Sequence, residues 1–75
     1  MITVYSKKNC PACDQAKRVL TQRQMQYNEV RIDEDIDARE FLLAAGHRTV
    51  PQIYDGGMHV EGGIQGLQQF LTEAA

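Results

Sequence analysis

Two cysteines, Cys10 and Cys13, are the residues whose type and spacing most clearly predict chemistry, and the chain has no others. Pro11 and Ala12 separate them, and the pair stands between a short apolar run and a helical pattern. Proline fits the first position of a helix, so the spacing puts both sulfurs at a helix start. There the positive end of the helix dipole favours the thiolate, which is the nucleophilic form of the side chain. The pattern therefore predicts thiol–disulfide exchange.

The two cysteines are expected to have different roles. Cys10 lies at the helix boundary, where its sulfur can face solvent and the unpaired first-turn N–H groups, so we expect it to be the nucleophile. Lys7 and Lys8, just upstream, add positive charge that favours the thiolate. Cys13 lies inside the first turn and is expected to be the resolving thiol, which attacks Cys10 in a mixed disulfide and releases the reduced substrate.

Two structural interpretations compete with this redox hypothesis. A disulfide across so short a loop gains little chain entropy, so a purely stabilising bridge would contribute little. The cysteines could also form half of a zinc site, but a structural zinc site generally needs four ligands. Only His47 and His59 could complete the set, and we expect no metal.

Composition limits the other function classes. The chain has 75 residues, enough for a single domain, residues 1–75, and a net charge of −2. A slightly acidic protein does not attract nucleic acid or a membrane surface by bulk charge, so we expect neither as a partner. No leader peptide or membrane-spanning run is visible, which predicts a cytoplasmic protein. We expect it to act as a monomer.

The sequence pattern of the first half of the chain predicts a strand–helix–strand unit. The stretch from Ile2 to Tyr5 is β-branched and alternating, which predicts a strand. A helix is expected from Pro11 to near Arg23, and residues 27–33 alternate again as a second strand. Because a helix connects them, these two strands should run parallel in a right-handed crossover.

The second half is predicted to be a helix, a hairpin and a last helix. Asp35 or Asp37 can cap the first of these helices, the latter in a capping box with Glu40, and Gly46 can end it. The apolar stripe of this helix is expected at Ala38, Phe41, Leu42 and Ala45. Two strands, residues 50–54 and 58–61, should pair around the turn at residues 55–57. The buried side of the last helix is expected at Ile64, Leu67, Phe70, Leu71 and Ala74. The order is β-α-β-α-β-β-α.

Further residues are candidates for a binding site beside Cys10. The Val50–Pro51 bond, if cis, would turn the backbone groups of Val50 toward the sulfur, where an extended substrate could pair with them. Gly62 and Gly63 precede the last helix, whose free N–H groups can bind an anion. Lys7, Arg48 and His47 could add positive charge. His47 can equally be a solvated loop residue, and His59 is expected to be a surface residue of an edge strand. Tyr5 could flank the Cys10 sulfur, but we expect it to be a core aromatic.

Three blocks of the chain together resemble the glutaredoxins, a family of the thioredoxin-like fold. They are VYSKKNCPAC, GHRTVPQIY, and the glycine pair followed by IQGLQQFL. The blocks occur in the family's order and spacing and span almost the whole chain. The resemblance implies an α/β fold in which a four-stranded mixed sheet is flanked by three helices.

The resemblance also implies glutathione as co-substrate. Cys10 and Cys13 match the nucleophilic and resolving cysteines, and Pro51 matches the family's cis-proline. The matching residues around glutathione would be Lys7, Arg48, Thr49, Val50, Pro51, Gly62, Gly63, Ile64 and Gln65. In the family the lysine and arginine face the glycyl carboxylate, the residue before the proline pairs with the cysteine backbone, and residues after the glycines hold the γ-glutamyl end. Disulfide-bearing proteins, including ribonucleotide reductase, are the implied partners.

Three positions depart from the family pattern. Ala12 replaces a common tyrosine, Glu61 replaces an apolar residue, and Gln65 with Gly66 stands where many members carry acidic or hydroxyl groups. The main hypothesis is a dithiol enzyme that reduces disulfides and glutathione mixed disulfides. One alternative is a small glutaredoxin-like donor reduced by thioredoxin reductase. Another is a binding module in which two chains share an iron–sulfur cluster through Cys10 and glutathione, which Pro11 and Cys13 disfavour.

Overall fold

The fold was taken from a computed structural model of the chain, which describes residues 1–74. Four strands and three helices alternate in the expected order: β1 (Ile2–Ser6), α1 (Pro11–Gln22), β2 (Tyr27–Arg31), α2 (Ile36–Ala44), β3 (Gln52–Asp55), β4 (Met58–Val60) and α3 (Gly63–Ala74). The strands form one mixed sheet in the order β2-β1-β3-β4. As predicted from the helical crossover, β1 and β2 are parallel, whereas β1 with β3 and β3 with β4 are antiparallel. None of the helices in residues 1–74 is long and apolar enough to cross a membrane.

The main core lies on one face of the sheet. Alternate residues of β1 point to this face, where α1 and α3 cover them. The largest fully buried side chains of this core are Leu20, Ile53, Leu67 and Val4. In α3, Leu67 and Leu71 are buried as expected, and Ile64 and Phe70 pack against the core while partly exposed. The side chain of Ala74, also expected on this stripe, lies outside the described part of the chain.

The other face of the sheet carries α2 and an aromatic cluster. The rings of Tyr5, Phe41 and Tyr54 lie with their centroids 5.4 to 5.7 Å apart. Only Ala38 and Leu42 of the expected α2 stripe are buried, since Phe41 is 44% exposed and Ala45 is exposed. A single helix covers this face, so its aromatic layer remains open along one side.

Four details of the elements differ from the sequence-based expectation. The strand predicted over residues 27–33 ends at Arg31, because Asp33 turns back to bind the Arg31 guanidinium. Asp35 caps α2, accepting the Ala38 N–H at 3.0 Å, so the Asp37–Glu40 capping box is wrong. The strand predicted from residue 50 begins at Gln52, and the returning strand ends at Val60 rather than at residue 61.

The end of α2 fixes where the segment that leads to β3 begins. Gly46 has a φ of +87°, a conformation that costs glycine little. The N–H groups of Gly46 and His47 donate to the carbonyls of Leu43 and Leu42 at 3.0 and 2.9 Å, a Schellman motif. The motif ends α2 as predicted and turns residues 47–51 toward the start of α1.

Candidate active site

Cys10 is the N-cap of α1. Its backbone is extended, with φ −122° and ψ 96°, and Pro11 occupies the first helical turn as predicted. The Cys10 carbonyl accepts the first intrahelical hydrogen bond from the Asp14 N–H at 3.1 Å. Its sulfur accepts the Cys13 N–H, also at 3.1 Å. A helix N-cap normally uses an oxygen for this bond, so here the sulfur of Cys10 occupies the position that best stabilises a negative charge.

The two cysteines are joined as a disulfide. Cys10 retains 8% of its surface exposed and Cys13 retains none. Cys10 is therefore the cysteine that solvent reaches, as expected for the predicted nucleophile, and Cys13 lies inside the protein. This order of exposure is the one predicted from the helix position, although both sulfurs are more covered than expected.

The Val50 backbone borders the Cys10 sulfur. The Val50–Pro51 bond is cis, as anticipated. The Val50 carbonyl oxygen lies 3.8 Å from Cys10 Sγ. In the disulfide the sulfur carries no hydrogen, so this is a contact, whereas a reduced Cys10 thiol has a proton to donate. Val50 thus borders the small exposed part of Cys10, the opening through which a substrate sulfur would approach.

A groove beside this opening is lined by positive side chains. Its volume is about 210 Å³, and Val50 forms part of its wall. Lys7, Arg39 and Arg48 line it, and no aspartate or glutamate does. The remaining wall residues are Ile32, Leu42, Leu43, His47 and Thr49. We call this cavity the basic groove. Within residues 1–74, none of its three cations has a carboxylate within 4.0 Å.

The groove unites residues that were predicted separately and adds one that was missed. Lys7, Arg48, Thr49 and Val50 were all assigned to substrate binding, and they line the same cavity. Arg39 was not predicted, since it is one charged residue among several on α2 and its sequence position carries no motif. The only feature of the sequence that could have indicated Arg39 is its position one turn after the helix cap. The sequence left that cap open between Asp35 and Asp37.

The loop that carries Lys7 and Lys8 is anchored to the loop after β2. The Lys8 N–H donates to Asp33 Oδ2 at 3.3 Å. The Arg31 guanidinium binds the same carboxylate through two hydrogen bonds, at 3.0 and 2.7 Å. This pairing with Arg31 holds the pKa of Asp33 at about 2, well below its usual range. Asp33 thus stays ionised and orients the loop without placing its charge in the basic groove.

Each of the two histidines lies within hydrogen-bonding distance of a neighbouring side chain. His47 Nε2 lies 2.8 Å from the Tyr54 hydroxyl, and His59 Nε2 lies 2.8 Å from Gln52 Oε1. Their rings pack at a tilt of 48° with centroids 4.5 Å apart. Burial, and secondarily the nearby His59, lowers the pKa of His47, so its ring adds no full charge to the groove at neutral pH. In residues 1–74 no three His, Cys, Asp or Glu side chains are grouped so that they would ligate a metal.

Tyr5, expected to be a core aromatic, is half-buried under α2 in the aromatic cluster. Burial raises its pKa, and the neighbouring Tyr54 and Asp35 raise it further. Its phenol is therefore neutral throughout the pH range in which thiols react.

The glycine pair forms the start of α3, as predicted, but lies outside the basic groove. Gly62, Gly63, Ile64 and Gln65 are not part of the groove wall. Gly66, in the first turn of α3, lies close to the backbone of Glu61. A Cβ added there would overlap the Glu61 carbonyl oxygen and approach its carbon to 2.7 Å. An acidic side chain at this position is thus sterically excluded unless the backbone moves.

Comparison with known proteins places this arrangement in a family. The family model named Glutaredoxin matches residues 2–60, which include both cysteines and the cis-proline. The chain belongs to the glutaredoxin family. It has the fold and the cysteine pair of a glutaredoxin-type thiol–disulfide oxidoreductase.

The curated relatives include a glutaredoxin, a glutaredoxin-like protein and a hybrid peroxiredoxin. The chain is 37% identical to the glutaredoxin of Ricinus communis over 81% of its own length and 64% of that protein. It is 40% identical to the glutaredoxin-like protein NrdH of Lactococcus lactis, over 71% of this chain and 74% of that one. Hybrid peroxiredoxin hyPrx5 of Haemophilus influenzae is 30% identical over 95% of this chain, which spans only 29% of that longer protein.

Solved structures show the same fold. The thioredoxin-like protein BC3987 superposes with a TM-score of 0.81 at 29% identity, covering 95% of this chain and 99% of that one. The buckwheat glutaredoxin–glutathione complex gives 0.77 at 27% identity, covering 97% and 69% of the two chains. The thioredoxin-like fold predicted from the motifs is therefore confirmed.

Proposed function

We propose that this protein reduces disulfides and glutathione mixed disulfides through Cys10, with glutathione as the reductant that restores the dithiol. The observation that carries the proposal is the contact between the Cys10 opening and the basic groove through Val50. Glutathione carries two carboxylates, and a groove with three unpaired cations and no acidic residue suits an anionic ligand. The glutathione complex of the buckwheat relative supports the same ligand class.

The proposed reaction proceeds by four thiol–disulfide exchanges, two that reduce the substrate and two that restore the dithiol. The Cys10 thiolate attacks one sulfur of the substrate disulfide, forming a mixed disulfide and expelling the other sulfur as a thiolate that takes a proton. Cys13 then attacks Cys10, which releases the second substrate thiol and leaves the Cys10–Cys13 disulfide. One glutathione thiolate reopens that disulfide at Cys10, and a second attacks the bound glutathione sulfur. Two glutathiones are oxidised to their disulfide for each substrate disulfide reduced.

A second candidate is a donor of the same chemistry that is reduced by thioredoxin reductase. Two observations favour it: the 40% identity to the glutaredoxin-like protein NrdH, and the close approach of Glu61 to Gly66, which leaves no room for a side chain at residue 66, one of the two positions where many glutaredoxins carry an acidic or hydroxyl group. Gln65 is exposed at the start of α3 and offers a neutral amide oxygen instead.

The clients and the compartment are also proposals. Ribonucleotide reductase is proposed from the family resemblance and the NrdH relative, and a thiol peroxidase from the match to a segment of a hybrid peroxiredoxin. Both chemistries operate beside reducing thiol pools, so we propose the cytoplasm as the compartment.

A choice of reductants tests the proposal. Oxidised protein is offered glutathione in one reaction and thioredoxin reductase with NADPH in another, and the free thiols formed are alkylated and counted by mass. We expect two thiols per chain with glutathione alone. Reduction by the reductase alone would reject glutathione as the reductant and assign the protein to the second candidate.

A further inference from the structure

A chain of hydrogen bonds connects the edge of the sheet to the wall of the basic groove. On β4, His59 Nε2 lies 2.8 Å from Gln52 Oε1 at the start of β3. The same Gln52 amide donates through Nε2 to the Thr49 carbonyl at 2.9 Å and lies 3.4 Å from the Thr49 hydroxyl. His59 is not part of the groove wall, but it is two hydrogen bonds away from a residue that is.

The directions of these bonds follow from the atoms involved. The Thr49 carbonyl can only accept, so the Gln52 group that faces it must be the NH₂. The Gln52 oxygen then faces His59 and can only accept, so His59 Nε2 must carry the hydrogen. An imidazole has a hydrogen on this nitrogen in one neutral tautomer and in its protonated form. His59 therefore donates to Gln52 in either state and stabilises the orientation in which the Gln52 NH₂ faces Thr49.

The ring of His59 is held from its other sides. It packs on Tyr54, its cross-strand partner, with ring centroids 5.0 Å apart, and on His47 at 4.5 Å. His47 lies three residues after the end of α2, is within hydrogen-bonding distance of the Tyr54 hydroxyl and lines the groove. His59 thus touches the groove-forming segment at both ends: His47 through ring packing and Thr49 through Gln52.

Residues 47–51 border the path along which a substrate would approach Cys10. Residues 47–51 belong to no helix or strand, yet they supply His47, Arg48, Thr49 and Val50 to the groove wall. The Val50 carbonyl within the same segment contacts Cys10 Sγ. A shift of the Thr49 backbone would therefore move one wall of the groove relative to the sulfur.

We propose that His59 is a positioning residue for the substrate: through Gln52 it fixes the Thr49–Val50 backbone beside Cys10, without touching the substrate itself. This inference rests on the proposed function, because it assumes that the substrate binds in the basic groove. It assigns to β4 a role in substrate affinity that neither the cysteine motif nor the groove residues reveal.

Three variants test the proposal. His59→Phe keeps an aromatic ring for packing and removes the donor, and Gln52→Leu removes the bridge. Met58→Gln is the matched control, because Met58 is the neighbouring β4 residue, is 72% exposed and lies outside the site. Each is assayed for kcat and KM with a glutathione–peptide mixed disulfide, and for the rate at which iodoacetamide alkylates reduced Cys10.

We expect His59→Phe and Gln52→Leu each to raise KM about two- to tenfold, the size of effect that follows from losing one hydrogen bond, although Gln52→Leu removes the bonds to both His59 and Thr49. The kcat and the alkylation rate should stay within about twofold of the parent, since Cys10 itself is unchanged. The double variant should be no worse than the poorer single one, because both break the same chain. Unchanged KM, equal losses in kcat and alkylation, or additive effects would overturn the proposal.

A second readout separates this proposal from the proposed function. Amide NMR shifts of Thr49 and Val50 report the backbone whether or not glutathione is used. If the parent protein ignores the mixed disulfide, the proposed function fails, and the shifts alone decide the positioning role. Changes at both amides in His59→Phe but not in Met58→Gln support it, and unchanged amides overturn it. Gln52→Leu gives the same comparison if His59→Phe does not fold.

Discussion

Arg39 offers the sharpest perturbation of the basic groove, because its role follows from the structure and from no motif. Replacing it by glutamine keeps a polar, though shorter, side chain and removes one of three cations from a wall that contains no acid. Arg39 has no carboxylate within 4.0 Å in residues 1–74, so the change breaks no ion pair. The change should therefore weaken the binding of the anionic substrate rather than the stability of the fold.

The magnitude follows from the exposure of the groove. Arg39 is exposed, so its attraction to a substrate carboxylate acts through water-like surroundings, where two unit charges about 4 Å apart interact by ~1 kcal/mol. Screening and side-chain entropy reduce this to about 0.5–1 kcal/mol. Since about 1.4 kcal/mol is a tenfold change, KM for a glutathione mixed disulfide should rise about two- to fivefold.

Steady-state kinetics with a glutathione–peptide mixed disulfide provide the assay. Arg39→Gln should raise KM and leave kcat nearly unchanged, and the difference should shrink when the ionic strength is raised to about 1 M. Arg18→Gln is the matched control, since Arg18 is exposed on α1, lacks a carboxylate partner among the described residues and lies outside the groove. An equal change in Arg18→Gln, or a loss confined to kcat, would refute the reasoning.

Three further predictions concern the cysteines and the stability of the fold. Cys10→Ser should abolish all disulfide reduction, whereas Cys13→Ser should still reduce a glutathione mixed disulfide in a coupled assay; a Cys13→Ser variant inactive on that substrate would reject the assigned roles. Gly66→Ala should lower the free energy of unfolding by about 1–3 kcal/mol in denaturant titrations, because its Cβ would overlap a backbone carbonyl, while Gln65→Ala should change it little. Because burial lowers the pKa of His47, folding favours its neutral ring. That stability should be complete above the unfolded pKa of about 6.5 and decrease as pH falls below it, and His47→Asn should flatten this part of the pH profile.

The parts of the fold that the sequence predicted are those with local causes. Pro11 at a helix start, the turn at residues 55–57 and the glycine that ends α2 each act through the conformation of a few neighbouring residues. Cys10 was recognisable for the same reason, because its chemistry depends on a helix start that lies within the motif. Element order and parallel pairing then follow from how these units connect.

The parts that were missed depend on contacts between distant segments. The choice of Asp35 over Asp37 as cap depends on where the chain leaves β2, after Asp33 has turned back to Arg31. Arg39 becomes a groove residue only when α2 lies beside residues 47–50. His59 reads as a surface residue on an edge strand, and only the pairing of β4 with β3 brings it to Gln52.

The most direct test of the account asks which sulfur Cys10 selects. The Cys13→Ser variant, which cannot resolve the adduct, is mixed with a disulfide between glutathione and a short neutral peptide, quenched with acid and analysed by mass. Because the basic groove beside Cys10 should hold the glutathione half, we predict glutathione on Cys10 and the peptide released as a free thiol. Peptide on Cys10, with glutathione released, would contradict the account.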